Sequence, residues 1–190
     1  MIDNEELLRS QYDVLAGRWP EEYNELVLVL SDPNSVTDFL AYSLGLRDSE
    51  ELKDMMQQVL DGNEVEMKDD AMTWTYDDFL NLSFSLVNAY DIYQYNSEYG
   101  VWEDMSEDEE YMKELVDGGV ELKIVGIVSP AAGTAATALT QGIGYLPSLT
   151  EYIMENAASA QIVKDQLENP DVDVFTGLTF EELEAQEGGN

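Results

Sequence analysis

One segment near the middle of the chain, residues 121–129, restricts the fold more than any other. It holds four β-branched residues within five positions: Ile124, Val125, Ile127 and Val128. A run of this kind is typical of a strand that is buried on both faces, because β-branched side chains pack well on a pleated surface. A Gly-Gly pair precedes the segment and a proline follows it, which marks both ends. We therefore predict a central strand that serves as scaffold and supplies no catalytic group.

Gly126 interrupts this strand near its middle. A glycine inside a strand lowers stability, because it has no side chain to pack and loses more backbone entropy on folding than other residues. Such a glycine is typical of a place where another backbone or side chain must come very close. The sequence therefore predicts a close approach at Gly126.

Two further strands complete the fold class. Residues 26–30 form a second apolar run, and residues 80–87 alternate between large apolar side chains and smaller or polar ones, which is the period of a half-exposed strand. We predict an α+β fold with packed helices on a mixed β-sheet that is built on Leu26–Leu30, Phe79–Val87 and Leu122–Val128. The chain is read as one domain over residues 1–190, with residues 69–117 as an inserted excursion or a second lobe.

Capping and turn residues predict the remaining elements. The expected helices are one that ends at Gly45, one from Asp48 to Gly62, one opened by a Ser106–Glu109 capping box, one that starts at Pro147, and one over residues 160–167. In the helix from Asp48 to Gly62 the residues expected to face inward are Leu52, Met55, Met56, Val59 and Leu60. The other expectations are a flexible loop or lid over residues 129–144, a short strand over residues 143–146, an edge strand near residues 172–175 and a tail over residues 181–190.

The charge of the chain is extreme: 41 Asp and Glu side chains against 8 Lys and Arg give a formal net charge of -33. Such a surface repels phosphate backbones and anionic lipid headgroups, so we expect no nucleic-acid partner. The apolar content of 44% is nevertheless enough for a packed core. The acidity is explained equally well by a cationic partner and by a salt-rich habitat, and the sequence does not decide between them.

The sequence contains no cysteine and no histidine. Disulfides, thiolate metal sites and Ser-His catalytic pairs are therefore excluded, and we expect neither a metal nor another cofactor. No window reaches the roughly 20 apolar residues of a membrane span, and the first residues do not have the pattern of a signal peptide. The chain as given is expected to be soluble, and any membrane span would lie outside it.

Two groups of residues resemble sites only superficially. The segment Gly133–Gly144 is glycine-rich, but it lacks the Lys-Ser/Thr pair of a phosphate-binding loop, so we predict a plain loop. The carboxylate groups at Asp69-Asp70, Asp77-Asp78 and Glu107–Glu110 lack the alternating ligand spacing of a calcium loop. We predict that they form a solvated acidic face.

An aromatic segment is the strongest candidate for a binding surface. Tyr93, Tyr95, Tyr99 and Trp102 follow Tyr90 within a short acidic stretch. Exposed aromatic side chains are enriched at interfaces, and neighbouring carboxylates would suit a cationic partner. The alternative is that these rings pack on the predicted strand over residues 80–86 as a small satellite core, and we favour this alternative because aromatic residues dominate burial.

The order of several apolar segments resembles that of a known family. These segments are Glu25-Leu-Val-Leu-Val-Leu30, Leu44-Gly-Leu46 at the end of a helix, Phe79–Val87, Leu122-Lys-Ile-Val-Gly-Ile-Val128 and Gly144-Tyr-Leu-Pro-Ser-Leu-Thr-Glu-Tyr-Ile153. Together they resemble the MacB-like periplasmic core domain of FtsX-like ABC transporter permeases, over about Tyr12 to Phe180. Gly17-Arg-Trp-Pro20, Ile162-Val-Lys-Asp-Gln166 and Asp173-Val-Phe-Thr-Gly177 are similar to the Gram-positive branch.

The resemblance implies an extracellular domain between two transmembrane helices of a permease. Such a domain is not an enzyme: it binds a substrate or partner and couples ATP hydrolysis to transport across the cell membrane, as in export, lipoprotein release or peptide resistance. The implied partners are a separate ABC ATPase subunit or domain, a peptide, lipid-linked or protein cargo, and a second copy in a dimeric transporter. The acidity of the chain is compatible with a cationic cargo. The strong acidity and the Tyr90–Trp102 segment are not features of that family.

Two other classes of function stay open. The first is a free-standing acidic hydrolase that works with carboxylates, and the second is an acidic interaction protein of a salt-adapted organism. The permease interpretation requires an apolar span on each side of this segment in the parent gene, whereas neither alternative does.

Overall fold

The computed structural model describes residues 1, 4–33, 38–48, 50, 53, 57, 58, 60, 61, 74–134 and 136–187. The helices in these residues are α1 Glu5–Gln11, α2 Asp38–Ser43, α3 Tyr76–Leu80, α4 Glu109–Gly118, α5 Pro147–Ser159, α6 Gln161–Glu168 and α7 Phe180–Glu187. The strands are β1 Tyr12–Gly17, β2 Glu25–Val29, β3 Ser83–Leu86, β4 Tyr93–Asn96, β5 Val101–Asp104, β6 Val120–Pro130 and β7 Gly142–Tyr145. The fold is α+β, as the sequence predicts.

The larger sheet has five strands and mixed pairing. Its order is β1-β6-β2-β7, and β3 also pairs with β6. β2 runs parallel to β6, whereas β1 is antiparallel to β6 and β7 is antiparallel to β2. β4 and β5 form a separate two-stranded sheet. The prediction of a mixed sheet with helices is confirmed.

The predicted central strand is β6, which extends one residue further at each end than residues 121–129. Its second half, Gly126–Ser129, is continuously buried, so the expectation of burial on both faces is confirmed there. In its first half, Glu121 and Lys123 are exposed and alternate with half-buried residues. The β-branched run in the sequence therefore marks the half of β6 that is buried in the sheet.

Gly126 lies where the backbone of Arg18 crosses close to β6. A Cβ atom at Gly126 would overlap the carbonyl oxygen of Arg18 and lie 2.8 Å from its carbonyl carbon. Gly17, paired with Gly126 in the β1–β6 ladder, has φ of 67° and lacks space for a Cβ beside Val125. The Arg18 backbone N–H donates to the Val125 carbonyl at 2.9 Å. The predicted close approach is confirmed, and the partner is a backbone segment.

The chain divides into two compact units. Unit 1 comprises Met1–Ser83 and Lys123–Leu146, and unit 2 comprises Phe84–Leu122 and Pro147–Asn190. Each unit is therefore assembled from two separate stretches of sequence. Residues 69–117, predicted as an excursion or second lobe, share residues 84–117 with unit 2.

The core of unit 1 is formed by apolar side chains on both faces of the sheet. Val27 and Val29 point to one face of β2, where they cluster with Tyr12 and Trp19. Leu28 alternates to the other face and is fully buried as well. In the described part of unit 1, the buried apolar residues are Leu8, Tyr12, Trp19, Leu26, Val27, Leu28, Val29, Leu30, Leu40, Ala41, Tyr42, Leu44, Phe79, Ile124, Ile127 and Val128. β2 confirms the second predicted strand.

An ion pair holds the turn between β1 and β2. The Glu25 carboxylate accepts hydrogen bonds from both terminal nitrogens of the Arg18 guanidinium, one at 2.7 Å from Nη1, and from the backbone N–H groups of Glu21 and Glu22. The hydrogen bonds from the Arg18 guanidinium are the main reason that the pKa of Glu25 falls to about 2. The carboxylate therefore stabilises this turn at every pH at which it is ionised.

The predicted strand over Phe79–Val87 is wrong in its first half. Residues 76–80 form α3, which begins with a capping box: the Thr75 hydroxyl accepts from the Asp78 N–H, and the Asp78 carboxylate accepts from the Thr75 N–H at 2.8 Å. Phe79 lies in this helix, and its side chain is buried, with 1% of its surface exposed. Only β3 keeps the predicted alternation, with Ser83 and Ser85 exposed. The capping box stabilises a helix at residues whose alternating apolar pattern predicted a strand.

The stop at Gly45 is confirmed, whereas the following helix is largely outside the described residues. Gly45 adopts φ of 71°, and the Leu46 N–H donates to the Ala41 carbonyl at 3.0 Å, which closes the end of α2. Of the residues predicted to face inward between Asp48 and Gly62, Leu60 is 79% exposed, and Leu52, Met55, Met56 and Val59 lie outside the described residues. The inward orientation of Leu60 is therefore wrong.

Several predictions near the end of the chain need correction. In place of the edge strand at residues 172–175 there is an isolated bridge between Val172 and Thr179. The predicted tail contains α7. The predicted lid over residues 129–144 is anchored, because the Tyr12 hydroxyl accepts from the Leu139 N–H at 2.6 Å and donates to its carbonyl at 2.9 Å. α5, α6 and β7 lie close to their predicted positions.

Candidate functional site

The aromatic segment folds into the β4–β5 hairpin of unit 2. Tyr95 and Trp102 are paired across the two strands, with their ring centroids 5.5 Å apart. Gly100 takes φ of 69° in the turn, and the Asn96 side chain accepts from the Glu98 N–H at 2.9 Å. Asn and Gly are the residues that such turns favour. Asn96 and Gly100 therefore signal a hairpin in the sequence, although the segment shows no regular apolar period.

Trp102 is held in place from several directions. Its backbone N–H donates to the Val174 carbonyl at 2.8 Å, and its indole Nε1 donates to the Asp165 carboxylate at 3.0 Å. The other oxygen of Asp165 accepts from the Gln161 side chain at 2.6 Å. Both oxygens of this carboxylate therefore position neighbouring side chains, and the indole has a fixed orientation.

Helix α4 places a tyrosine beside the hairpin. Asp108 caps the helix, since its side chain accepts from the N–H groups of Glu110 and Tyr111. The predicted capping box at Ser106 is therefore wrong. The Tyr111 hydroxyl donates to the Asp91 carbonyl at 2.9 Å, which ties the helix to the loop before β4.

A cavity of about 470 Å³ opens among these elements, entirely within unit 2. Its lining residues are Asn88, Tyr90, Asp91, Tyr93, Trp102, Tyr111, Leu115, Tyr152, Asn156, Ser159, Ala160, Gln161 and Ile162. This volume is within the range of small-molecule sites. Five of the lining side chains are aromatic, and none of these described residues is Lys or Arg. The cavity is thus suited to a ligand that carries positive charge.

The polar side chains of the cavity are arranged with their donors turned toward protein acceptors. Asn88 Nδ2 donates to the Asp91 carboxylate at 2.8 Å, and Asn156 Nδ2 donates to the Tyr152 carbonyl at 2.7 Å. In contrast, the Oδ1 atom of Asn88 is buried and accepts no hydrogen bond within the described residues. A buried acceptor without a partner is unusual in a folded protein.

The electrostatic environment of the cavity disfavours negative charge. Burial is the main cause that raises the pKa of Tyr90 above its ordinary value, and the charges of Asp91 and the Tyr152 side chain raise it further. Burial disfavours a charge of either sign, so within this shift only the smaller contribution of the Asp91 carboxylate favours a cation over an anion.

The four predicted partner-binding residues occupy two environments. Tyr93 and Trp102 line the cavity, and the Tyr93 ring also packs on Phe175 with centroids 4.9 Å apart. Tyr95 and Tyr99 are 50% and 71% exposed. The segment is therefore neither a uniform exposed surface nor a closed satellite core, and the hypothesis that these residues bind a partner stays a prediction.

Two members of the predicted acidic groups, Asp78 and Asp108, have structural roles, and the other described members, Asp77, Glu107, Glu109 and Glu110, are exposed. Asp78 and Asp108 cap α3 and α4, and the hydrogen bonds from the Thr75 hydroxyl and backbone lower the pKa of Asp78. Asp69 and Asp70 lie outside the described residues. Elsewhere in the described part, no group of three or more Asp and Glu side chains is arranged to hold a metal ion. Gly144, in the glycine-rich segment, lies in β7.

Sequence reasoning did not find most of the cavity. Tyr111 with Leu115, and Tyr152 with Asn156, are spaced four residues apart on their helices, so each pair shares a helix face. That spacing is the only local signal of their common role. The contact of α4, α5 and α6 around the hairpin depends on chain segments that are far apart in sequence.

Among the described helices, none combines the length and the apolar character that a membrane crossing requires. No protein-family model, curated protein or solved structure matches the chain.

Proposed function

We propose that the protein is a non-enzymatic binding module that takes the cationic group of a ligand into the cavity of unit 2. The observation that carries this proposal is the lining of the cavity, where five aromatic rings and the Asp91 carboxylate meet without Lys or Arg. Aromatic faces attract cations through their quadrupole, and a carboxylate adds a charge partner.

The charge around the cavity supports the same ligand class. Unit 2 carries 21 Asp and Glu residues, against Lys113 and Lys164 as its Lys and Arg residues. A field of this sign raises the local concentration of cations and accelerates their association. A cationic peptide or amine would therefore be attracted before it contacts the cavity.

Binding is favoured over hydrolysis by the hydrogen bonds of Asp91, which lines the cavity, and of Asp165, which holds two of the lining side chains. Asp165 uses both oxygens to hold Trp102 and Gln161, and Asp91 accepts from Asn88. Groups committed in this way position neighbouring side chains. A glycosidase-like site would require a pair of carboxylates facing a common substrate.

We propose further that this module is the extracytoplasmic domain of an FtsX-like ABC permease on the cell membrane, where ligand binding is coupled to a separate ATPase. The order of the apolar segments supports this setting, and the observed α+β fold with a mixed sheet is compatible with it. The MacB-like identity of the fold is part of the same proposal.

A fluorescence titration tests the binding function. A short lysine-rich peptide should change the Trp102 emission in dilute buffer, and its glutamine analogue should not. The response should weaken in high salt, because screening reduces attraction between charges. The variant Trp102→Phe should lose the response, while the tryptophans at positions 19 and 74, which belong to unit 1, still emit. A lysine-rich peptide that has no effect even in dilute buffer would refute cation binding.

The membrane setting is tested separately by the parent gene. Apolar spans of about 20 residues encoded on both sides of this segment, with an ATPase gene next to it, would support the permease proposal. A gene that encodes neither span would refute that setting and leave the binding test unaffected.

A further inference from the structure

The lining of the cavity is rich in hydrogen-bonding groups as well as in aromatic rings. Ten of the thirteen lining residues have a polar group in the side chain, and the other three are Leu115, Ala160 and Ile162. Five of the ten carry a hydroxyl, which can both donate and accept a hydrogen bond. A lining of this composition suits a ligand that brings several polar groups besides its charge.

Two of these hydroxyls are available to a ligand. In the described part of the chain the hydroxyls of Tyr90 and Tyr93 make no hydrogen bond, and neither oxygen is closed off from solvent. In contrast, the Tyr111 hydroxyl donates to the Asp91 carbonyl at 2.9 Å, and the Ser159 hydroxyl donates to the Asn156 carbonyl at 2.8 Å. Tyr90 and Tyr93 therefore keep both a donor and an acceptor for a bound molecule.

The Tyr90 hydroxyl lies near the negative charge of the cavity. Partial burial is the main cause that raises the pKa of Tyr90, and the charges of Asp91 and of the Tyr152 side chain raise it further. The effect of Asp91 requires that its carboxylate lies near the Tyr90 oxygen, since the interaction of two charges falls with distance. A ligand that carries an ammonium next to a hydroxyl can therefore contact Asp91 and Tyr90 together.

Trp102 adds a fixed aromatic surface to the same cavity. Its indole Nε1 donates to Asp165 and its backbone N–H donates to Val174, so the ring is held in one orientation. A sugar ring has an apolar face of C–H bonds, which packs on an aromatic ring because the face of the ring carries negative partial charge. The volume of about 470 Å³ admits a six-membered sugar ring.

We propose that the cavity of unit 2 binds an amino sugar, with the ammonium beside Asp91, ring hydroxyls bonded to Tyr90 and Tyr93, and the C–H face on an aromatic ring of the lining. This inference rests on the proposed function and adds the class of amine. A lysine side chain brings the same charge but no hydroxyl. Tyr90 and Tyr93 are then the residues that determine specificity.

Calorimetry with three small ligands tests the inference on the full chain. Glucosamine carries an ammonium and hydroxyls, cyclohexylammonium carries the same charge on a six-membered ring without hydroxyls, and glucose carries hydroxyls without the charge. In mildly acidic dilute buffer, where both amines are protonated, glucosamine should bind about tenfold more tightly than either of the others, because each of them lacks one kind of contact.

Variants that remove single hydroxyls link the preference to the tyrosines. Tyr90→Phe keeps the ring, so the binding of glucosamine should weaken about fivefold, whereas the binding of cyclohexylammonium should not change. Tyr93→Phe should act in the same way, and it serves alone if Tyr90→Phe does not fold. The matched control is Tyr99→Phe, which removes a hydroxyl from a residue that is 71% exposed and outside the cavity lining. It should leave both affinities unchanged.

The outcomes separate this inference from the proposed function. Cyclohexylammonium that binds as tightly as glucosamine would refute recognition of the hydroxyls and leave cation binding intact. A lysine-rich peptide that changes the Trp102 emission, without any binding of glucosamine, would have the same meaning. Full glucosamine affinity in both Tyr90→Phe and Tyr93→Phe would refute the role of these residues.

Two further outcomes concern the charge. Glucose that binds as tightly as glucosamine would show that the ammonium is not recognised, and the amino-sugar class would fail. Failure of the lysine-rich peptide and of both amines would refute the proposed function itself.

Discussion

Unit 1 and unit 2 solve the same folding problem with different means. In unit 1, strands β2 and β6 bring apolar side chains to both faces of a sheet, and sixteen apolar side chains are buried among the residues that the structure describes there. Among the described residues of unit 2, Leu149 and Ile162 are the buried apolar side chains. Unit 2 relies more on half-buried aromatic rings and on side-chain hydrogen bonds to Asp91 and Asp165.

The difference separates a unit with a continuous apolar core from the unit that holds the cavity. Continuous apolar burial gives a unit stability and leaves no space for a ligand, as in the centre of the unit 1 sheet. Half-buried rings around a cavity leave aromatic surface and polar groups available. Ligand-binding regions of proteins commonly lie in their less stable parts, and the proposed site lies in the unit with fewer buried apolar side chains among its described residues.

The largest expected effect tests the tight packing of unit 1. Gly126→Val should lower the free energy of unfolding by about 3 kcal/mol, at the upper end of overpacking effects, because the new side chain meets the backbone of Arg18 and a backbone cannot rotate away. Chemical denaturation followed by circular dichroism measures this change.

Gly118→Ala provides the control for that substitution. Gly118 is the last residue of α4, and a Cβ there would meet no atom within 4 Å. Alanine is a better helix former than glycine, so this variant should be neutral or slightly more stable. Equal stability of Gly126→Val and the unaltered protein would show that the Arg18 backbone does not approach β6 as closely as described.

An intermediate effect concerns salt. Lys113 and Lys164 are the Lys and Arg residues of unit 2 against 21 acids, whereas unit 1 has six basic residues against 20 acids. Screening should therefore relieve more repulsion in unit 2. Adding sodium chloride should slow amide hydrogen exchange in α5 and α6 more than in β2 and β6, as measured by mass spectrometry of peptides from each unit. Equal slowing in the two units would contradict the comparison.

The smallest expected effect concerns acid. The pKa of Glu25 is lowered from 4.5 to about 2, so its contribution to stability is fully present above pH 4.5 and is lost as the pH falls toward 2. Glu25→Gln should therefore lower the melting temperature at neutral pH, by less than Gly126→Val does. The difference from the unaltered protein should shrink between pH 4.5 and 2.

Glu21→Gln is the control for the acid experiment. It removes the same charge from the same turn and retains the four hydrogen bonds that the Glu25 carboxylate accepts. It should not reproduce the change between pH 4.5 and 2. A constant difference between Glu25→Gln and the unaltered protein over this range would show that the ion pair with Arg18 does not form in solution.

Sequence patterns predicted the elements of unit 1 well and the site poorly. β2 and β6 contain continuous apolar runs, so local composition predicted their burial. Gly126 within β6 predicted the close approach of another chain segment. The alternation over residues 79–82 misled, because the Thr75–Asp78 capping box turns these residues into the end of α3. Local hydrogen bonding at a helix start can outweigh an apolar period over a few residues.

The sequence by itself determined the α+β class, the central strand, the absence of cysteine and histidine chemistry, and the acidic surface, since each depends on composition or on neighbours along the chain. Only the tertiary structure decided that Asn88, Trp102, Tyr111 and Tyr152 share one cavity and that Tyr99 does not. These residues lie on a loop, a strand and two helices, and no period in the sequence connects them. Whether these residues come together depends on how distant segments pack. Hydrophobic patterning predicts only which face each segment buries, and not which segments pack against each other.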